Sequence, residues 1–216
     1  MNRRELAQLI DHTALKPEAT WSDVDRLVAQ GLELGVHGVC VAPSFLPLDA
    51  QGQTVVTVVG FPSGAHYPEI KAAEAARAAA DGAHEVDMAM NLGRAKAAEW
   101  SLVSAEIAAV RAALPEGIVL KVIIESAALT DAQIVAACWA AEDAGANWIK
   151  TSTGFHPAGG ATVHAVDLIA RTVRGRLGVK ASGGITTLAE ASAMINAGAS
   201  RIGTSHTAEI VAELAE

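Results

Sequence analysis

The segment Gly145-Ala-Asn-Trp-Ile-Lys-Thr-Ser-Thr-Gly154 holds a lysine among residues that favour a pleated, buried surface. Trp148, Ile149 and Thr151 flank Lys150, and a helical run ending at Gly145 precedes them, so Lys150 falls inside a short strand. Burial disfavours the charged form of lysine, and the neutral amine that results is a nucleophile suited to Schiff-base formation. On its own, Lys150 is more simply explained as a strand-end lysine with its head in water. Its neighbours in register change that balance.

Gly35-Val-His-Gly-Val-Cys40, Gly82-Ala-His-Glu-Val-Asp87, Gly145-Ala-Asn-Trp-Ile-Lys150, Gly175-Arg-Leu-Gly-Val-Lys180 and Gly198-Ala-Ser-Arg-Ile-Gly203 each place an aliphatic residue four positions after a glycine. Strand side chains alternate faces. With Val39, Val86, Ile149, Val179 and Ile202 facing outer helices, Cys40, Asp87, Lys150, Lys180 and Gly203 point inward. A purely structural repeat would put apolar residues there, yet two lysines and an aspartate share these positions. If the strands end one residue earlier, the same groups sit in surface loops instead.

Lys180, held protonated beside Lys150, would add like-charge repulsion to desolvation. Taking a lysine from about 10.4 to about 7.5 means destabilising its charged form by roughly 4 kcal/mol, which one close charge and partial burial can supply. Asp87 would offset the second ammonium and move protons through a bound water; a structural ion pair with Lys180 is the alternative. Lys121 and Glu125 lie on one face of the fifth expected strand and either extend this network or form a salt bridge at the rim. Asp11, at the end of the first strand beside His12, takes a supporting role or caps a helix.

The elements that must position these groups repeat as helix, glycine, strand. Helices are expected over residues 21–34, 70–81, 132–144, 164–174 and 188–197, each followed by a glycine that can adopt a left-handed conformation. Thr130-Asp-Ala-Gln133 and Thr187-Leu-Ala-Glu190 match capping boxes, and Thr20 with Asp23 is a weaker one. Strands are expected over 10–13, 36–42, 55–60, 85–89, 119–125, 148–152, 179–182 and 200–204. Eight units of about 27 residues each indicate a compact (β/α)8 TIM barrel, a single domain over residues 1–216. A doubly wound open sheet is the rival, but no Gly-x-Gly-x-x-Gly follows the first strand.

Composition narrows the partners. A net charge of −8 and a pI near 5.3 argue against nucleic acid and anionic membrane, which select clustered Lys and Arg. The one basic cluster, Arg171, Arg174 and Arg176, reads as a solvated helix end. Cys40 and Cys138 are too few for a disulfide framework, no N-terminal signal peptide is evident, and no apolar run reaches the ~18 residues needed to span a bilayer. The expectation is a cytoplasmic protein, with a homodimer or homotetramer as its assembly. The seven histidines show no metal-ligand spacing, so neither a metal nor another cofactor is expected. Ser182-Gly183-Gly184 and Gly203-Thr204-Ser205 follow the seventh and eighth strands, where barrels bind phosphate through backbone N–H groups.

These blocks resemble the deoxyribose-phosphate aldolases, class I aldolases of barrel fold. Ile10-Asp-His-Thr-Ala-Leu15, Val39-Cys-Val-Ala-Pro43, Val59-Gly-Phe-Pro62, Glu85-Val-Asp-Met88, Leu120-Lys-Val-Ile-Ile-Glu125, Ile149-Lys-Thr-Ser-Thr-Gly154, Val179-Lys-Ala-Ser-Gly-Gly-Ile185 and Arg201-Ile-Gly-Thr-Ser205 occur in family order, nearly end to end. The resemblance implies reversible, metal-free cleavage of 2-deoxy-D-ribose 5-phosphate to acetaldehyde and glyceraldehyde 3-phosphate. Lys150 would form the imine, Lys180 would lower its pKa and Asp87 would relay protons. Asp11, Cys40, Lys121 and Thr153 are expected to contact the phosphosugar, and Gly183, Gly184, Gly203, Thr204 and Ser205 its phosphate.

Two features depart from some family members. Phe155 stands where they carry a phosphate-holding lysine, which weakens the expected phosphate affinity. The only tyrosine is Tyr67, so no C-terminal tyrosine can relay a proton, and the tail 212–216 is expected to be a helix end. A sugar-phosphate isomerase or epimerase using Asp87 and Cys40, and a non-catalytic phosphosugar-binding barrel, are the alternatives. The first leaves two inward lysines without a task.

Overall fold

The computed structural model of the protein describes residues 1–214. Eight strands, β1 (Ile10–Ala14), β2 (Gly38–Val41), β3 (Thr54–Val59), β4 (Glu85–Ala89), β5 (Val119–Ile123), β6 (Trp148–Lys150), β7 (Gly178–Ser182) and β8 (Arg201–Thr204), pair in parallel in chain order and close into a barrel. Around them run α1 (Arg3–Ala7), α2 (Trp21–Leu34), α3 (Pro68–Ala80), α4 (Leu92–Lys96), α5 (Trp100–Ala113), α6 (Asp131–Asp143), α7 (Val163–Val173), α8 (Leu188–Asn196) and α9 (Thr207–Ala212). This is the (β/α)8 TIM barrel expected from the repeat. Between β2 and β3 a single 3-10 turn, Pro43–Phe45, stands where the other units have an α-helix. Ala215 and Glu216, the end of the tail expected as a helix end, lie outside the described residues.

Local sequence explains the helix ends. Thr20, Thr130 and Thr187 each accept from the backbone three residues on, and Asp23, Gln133 and Glu190 answer them, so all three capping boxes form. The repeat glycines Gly35, Gly82, Gly145, Gly175 and Gly198 all have positive φ. Along α2 the buried positions Val24, Leu27, Val28 and Gly31 make one stripe facing the barrel. Arg171 and Arg176 at the far end of α7 are exposed and pair with Asp167 and Glu142, as a solvated helix end should.

The alternation of strand faces is also as expected. Val39, Val86, Ile149, Val179 and Ile202 join the main apolar core between barrel and helices. Inside the barrel a small apolar cluster, Cys40, Val56 and Val58, sits beside the buried charged residues Asp11, Glu85, Asp87, Lys121, Lys150, Lys180 and Arg201. Several strands are shorter than expected. β6 stops at Lys150, and β5 stops at Ile123, two residues before Glu125 turns into the left-handed region at φ 53.

A second buried ion pair, not foreseen from sequence, fixes the loops above β3 and β4. Lys71 on α3 and Glu106 on α5 are fully buried and 3.2 Å apart. Lys71 Nζ donates to the Ala89 carbonyl at 2.8 Å, and Glu106 accepts the Asn91 N–H at 2.5 Å. Among the described residues no helix is long and apolar enough to cross a membrane.

Two glycines with the same left-handed φ make a test of this packing. A Cβ at Gly35 (φ 68) meets nothing within 4 Å, whereas at Gly64 (φ 67) it would lie 1.9 Å from the Met90 carbonyl oxygen. Gly35→Ala should cost about 1 kcal/mol from conformation alone. Gly64→Ala should cost clearly more, because backbone must move; urea unfolding of both variants measures the difference.

Candidate active site

Strand register brings the charged residues together. Asp87 on β4 is level with Lys121 on β5, Lys150 on β6 with Lys180 on β7, and Asp11 on β1 with Gly203 on β8. Asp87 lies at the centre. Its Oδ1 accepts from Lys121 Nζ at 2.7 Å, and its Oδ2 accepts from Lys150 Nζ at 2.9 Å and Lys180 Nζ at 2.7 Å. The two amines thus share one carboxylate oxygen and lie within the reach of two hydrogen bonds of each other.

Below this point the network continues. Lys180 also donates to Asp11 at 2.5 Å, Arg201 donates to Asp11 at 2.9 Å, and Lys121 Nζ is ion-paired with Glu85 at 2.6 Å. Lys121, Lys150, Lys180 and Arg201 therefore face Asp11, Glu85 and Asp87, four basic groups against three carboxylates. With every group ionised, one positive charge is left uncompensated in a space sealed from water, where that is costly. Lys121 and Lys180 each hold two carboxylates at hydrogen-bond distance. Lys150 holds only Asp87, through an oxygen that Lys180 also uses, so Lys150 is the group that gives up its proton at least cost.

The titration behaviour follows this geometry. Burial, and then the Lys180 charge, lower the Lys150 amine against the opposing pull of Asp87. Lys180 moves the other way: Asp11 and Asp87 together outweigh its burial and raise it above the ordinary lysine value. Burial would raise Asp87, but Lys121, Lys150 and Lys180 hold it well below the usual carboxylate range. Asp11 is held at about 2, its burial overcome by Lys180, Lys121 and Arg201.

Above the network a cavity of about 680 Å³ opens at the C-terminal ends of the strands, with Lys150 exposed to it and Asp87 and Lys180 sealed beneath. Thr153, Gly183, Gly184, Gly203, Thr204 and Ser205, all expected as contacts, line it. Gly183 and Gly184 both have positive φ, and neither they nor Ser205 donate a backbone N–H to any acceptor among the described residues. Those donors remain for a ligand. Gly203 has a second use: a Cβ there would come 3.1 Å from Lys180 Cε, so the missing side chain makes room for the lysine.

Three expected contacts are elsewhere. Asp11, Cys40 and Lys121 do not line the cavity; all three are fully buried, Asp11 and Lys121 in ion pairs and Cys40 against Val56 and Val58. Asp11 is in mid-strand and ion-paired, so it caps no helix. Cys40 packs on Val56 and Val58, and burial raises its thiol. Lys121 forms no rim salt bridge, and Glu125 does not extend its network; Glu125 accepts instead from the hydroxyl and N–H of Thr153. Phe155 lines the cavity edge-on to Phe61, at a centroid distance of 5.3 Å.

Other residues of the site were not anticipated. Lys16 lines the cavity two residues beyond β1, and its place at a strand's C-terminal end was a signal that could have found it. Arg201 and Glu85 complete the buried network from positions at the opening residues of β8 and β4, where sequence shows nothing unusual.

A family model described as DeoC/LacD family aldolase matches residues 5–207. The chain belongs to that family. Among its relatives, a Corynebacterium diphtheriae protein named deoxyribose-phosphate aldolase is 60% identical, covering 99% of both chains. A Kocuria rhizophila protein of the same name is 58% identical over 98% of this chain and 97% of its own. A solved structure described as the unique tetrameric structure of deoxyribose phosphate aldolase from Aeropyrum pernix superimposes with a TM-score of 0.90, at 32% identity, over 98% of this chain and 92% of that one.

For this family member the buried network carries a consequence for acid stability. A carboxylate with a depressed folded-state pKa contributes stability that is fully present above its ordinary value and lost as pH falls through the depressed one. For Asp11 that window runs from 3.8 down to about 2, and Asp87 acts in the same direction. Asp11→Asn should lower the melting temperature near neutral pH, since Lys180 and Arg201 lose their partner, and flatten its decline across that window. Melting curves measured through the acid range provide the check; a decline as steep as that of the parent would contradict it.

Proposed function

We propose that this chain is a Schiff-base aldolase that reversibly cleaves 2-deoxy-D-ribose 5-phosphate to acetaldehyde and D-glyceraldehyde 3-phosphate. The observation that carries the reading is the pair of lysines bonded to one carboxylate oxygen at the cavity floor, with Lys150 alone facing the cavity. Lys150 as a free amine adds to the aldehyde carbon of the open-chain sugar, and the carbinolamine takes up a proton from the cavity water and loses its hydroxyl as water to give an iminium. Loss of the proton from the 3-hydroxyl then breaks the C2–C3 bond, its electrons passing to the iminium to leave an enamine on Lys150. Glyceraldehyde 3-phosphate departs. Protonation of the enamine carbon and hydrolysis release acetaldehyde and the free amine.

In this reading Lys180 keeps its proton and makes the charged form of Lys150 unfavourable, while Asp87 holds both amines in place. Protons pass between Lys150, the shared Asp87 oxygen and a water on the cavity side. The phosphate rests on the unpaired N–H groups of Gly183, Gly184 and Ser205, with Lys16 supplying the cation that Phe155 does not. The isomerase alternative draws no support, since its cysteine, Cys40, is sealed beneath the floor.

A homodimer or homotetramer in the cytoplasm is the setting we infer. The tetramer described for the Aeropyrum pernix relative and the exposed Trp21, Trp139 and Ile70 support assembly, and the two free buried cysteines suit a reducing compartment. Light scattering on the purified protein measures the assembly directly.

Borohydride reduction in the presence of acetaldehyde should add a two-carbon adduct to Lys150, read by peptide mass spectrometry. No adduct, or one confined to other lysines, would sink the mechanism. Lys180→Leu removes a charge that lowers Lys150 and leaves Asp87 to raise it. The pH midpoint of trapping should move upward, and turnover near neutral pH should fall about tenfold for each pH unit of that displacement. Lys16→Gln should raise KM for the phosphosugar several-fold while changing kcat little, as expected of a group that binds ground and transition states alike.

A further inference from the structure

Glu125 is held two residues beyond β5 at φ 53 and ψ 55, a backbone conformation unfavourable for a residue with a Cβ. Its side chain is almost wholly enclosed, with 6% of the residue exposed. A buried carboxylate ordinarily has a cation beside it. Among the described residues none forms an ion pair with Glu125; Lys121, four positions earlier, is engaged by Asp87 and Glu85.

What the carboxylate binds is Thr153. Oε2 accepts the threonine hydroxyl at 2.6 Å, and both oxygens accept the Thr153 N–H at 3.3 Å. Thr153 Oγ1 accepts in turn from the Phe155 N–H at 3.1 Å. A threonine hydroxyl has one proton and two lone pairs. Here Glu125 takes the proton and Phe155 takes one lone pair, which leaves a single acceptor site. Thr153 lines the main cavity three residues after Lys150, so what it offers a ligand there is an acceptor and not a donor.

We propose that Glu125 is a positioning residue that fixes Thr153 as a hydrogen-bond acceptor for a hydroxyl of the sugar chain, and so selects hydroxylated aldehydes over simple ones. The inference rests on the aldolase reading. With both oxygens accepting the Thr153 N–H, the side chain presents an acceptor to the hydroxyl and orients the threonine in one sense; an amide could turn over and reverse it. The strained backbone at Glu125 is the local consequence of turning this side chain back beneath the loop that follows β6.

The test compares two reactions of the same lysine. Acetaldehyde carries no hydroxyl, so its reductive trapping on Lys150 reports the amine, whereas the kcat/KM for 2-deoxyribose 5-phosphate reports the amine and the hydroxyl contact together. Glu125→Ala should lower that kcat/KM about 10- to 100-fold, with a loss in trapping rate at least tenfold smaller. Glu125→Gln, which keeps an acceptor oxygen, should recover part of the loss. Thr153→Val should show the same selective loss, and the Glu125→Ala, Thr153→Val double variant should be no worse than the poorer single one. Parallel losses in both reactions, full additivity in the double variant, or failure of both Glu125 variants to fold would overturn the inference. Absence of turnover in the unaltered protein would remove the aldolase reading, and this inference with it, before any variant is needed.

Discussion

A single buried carboxylate, Asp87, accepts hydrogen bonds from three lysines, of which only Lys150 faces the cavity, and the rest of the molecule is arranged so that it can. Burying one unpaired ammonium costs several kcal/mol, and burying three would unfold a barrel of this size. Asp87, with Asp11 and Glu85 behind it, offsets most of that cost, and because Arg201 shares these carboxylates with the three lysines, a shortfall of one negative charge is left. The shortfall falls on Lys150 because its one carboxylate is shared. Its reactivity is thus a property of the whole charge arrangement, not of the lysine or its immediate sequence.

Such an arrangement requires rigid walls. Parallel strands in unbroken order set the relative heights of Asp87, Lys121, Lys150 and Lys180 through register, and the aliphatic residues one position earlier anchor each strand to the helices. Glycine contributes by what it omits. Gly203 leaves the space that Lys180 Cε fills, and Gly64 lets the loop above β3 approach the Met90 carbonyl. The Lys71–Glu106 pair performs a similar service between α3 and α5, tying the backbone at Ala89 and Asn91 to the outer helices.

The two ends of the barrel differ in kind. Toward the N-terminal ends of the strands the interior is filled by ion pairs and the small cluster at Cys40, which closes it to substrate. Toward the C-terminal ends the side chains shorten to glycine, serine and threonine, and backbone N–H groups are left without acceptors. Lys150 and the two glycine turns thereby line one cavity, an amine and unpaired N–H groups in the same space.

Sequence alone determined the architecture and the inward register, because a glycine followed at fixed spacing by an aliphatic residue repeats often enough to fix strand order and facing. It also singled out Lys150, Lys180 and Asp87, since charged residues at inward barrel positions have few structural explanations. Depth was not legible. Asp11, Cys40 and Lys121 share the inward face with Lys150, but periodicity says which way a side chain points and not whether it reaches the cavity; only the closed sheet, with its ion pairs, sealed them away from it. Partner choice was likewise decided by tertiary structure. Glu125 and Lys121 share one strand face in sequence, yet the left-handed turn after Ile123 carries Glu125 to Thr153 and leaves Lys121 to Asp87 and Glu85. Which charge goes uncompensated depends on distances between residues far apart in the chain, and folding alone sets those distances.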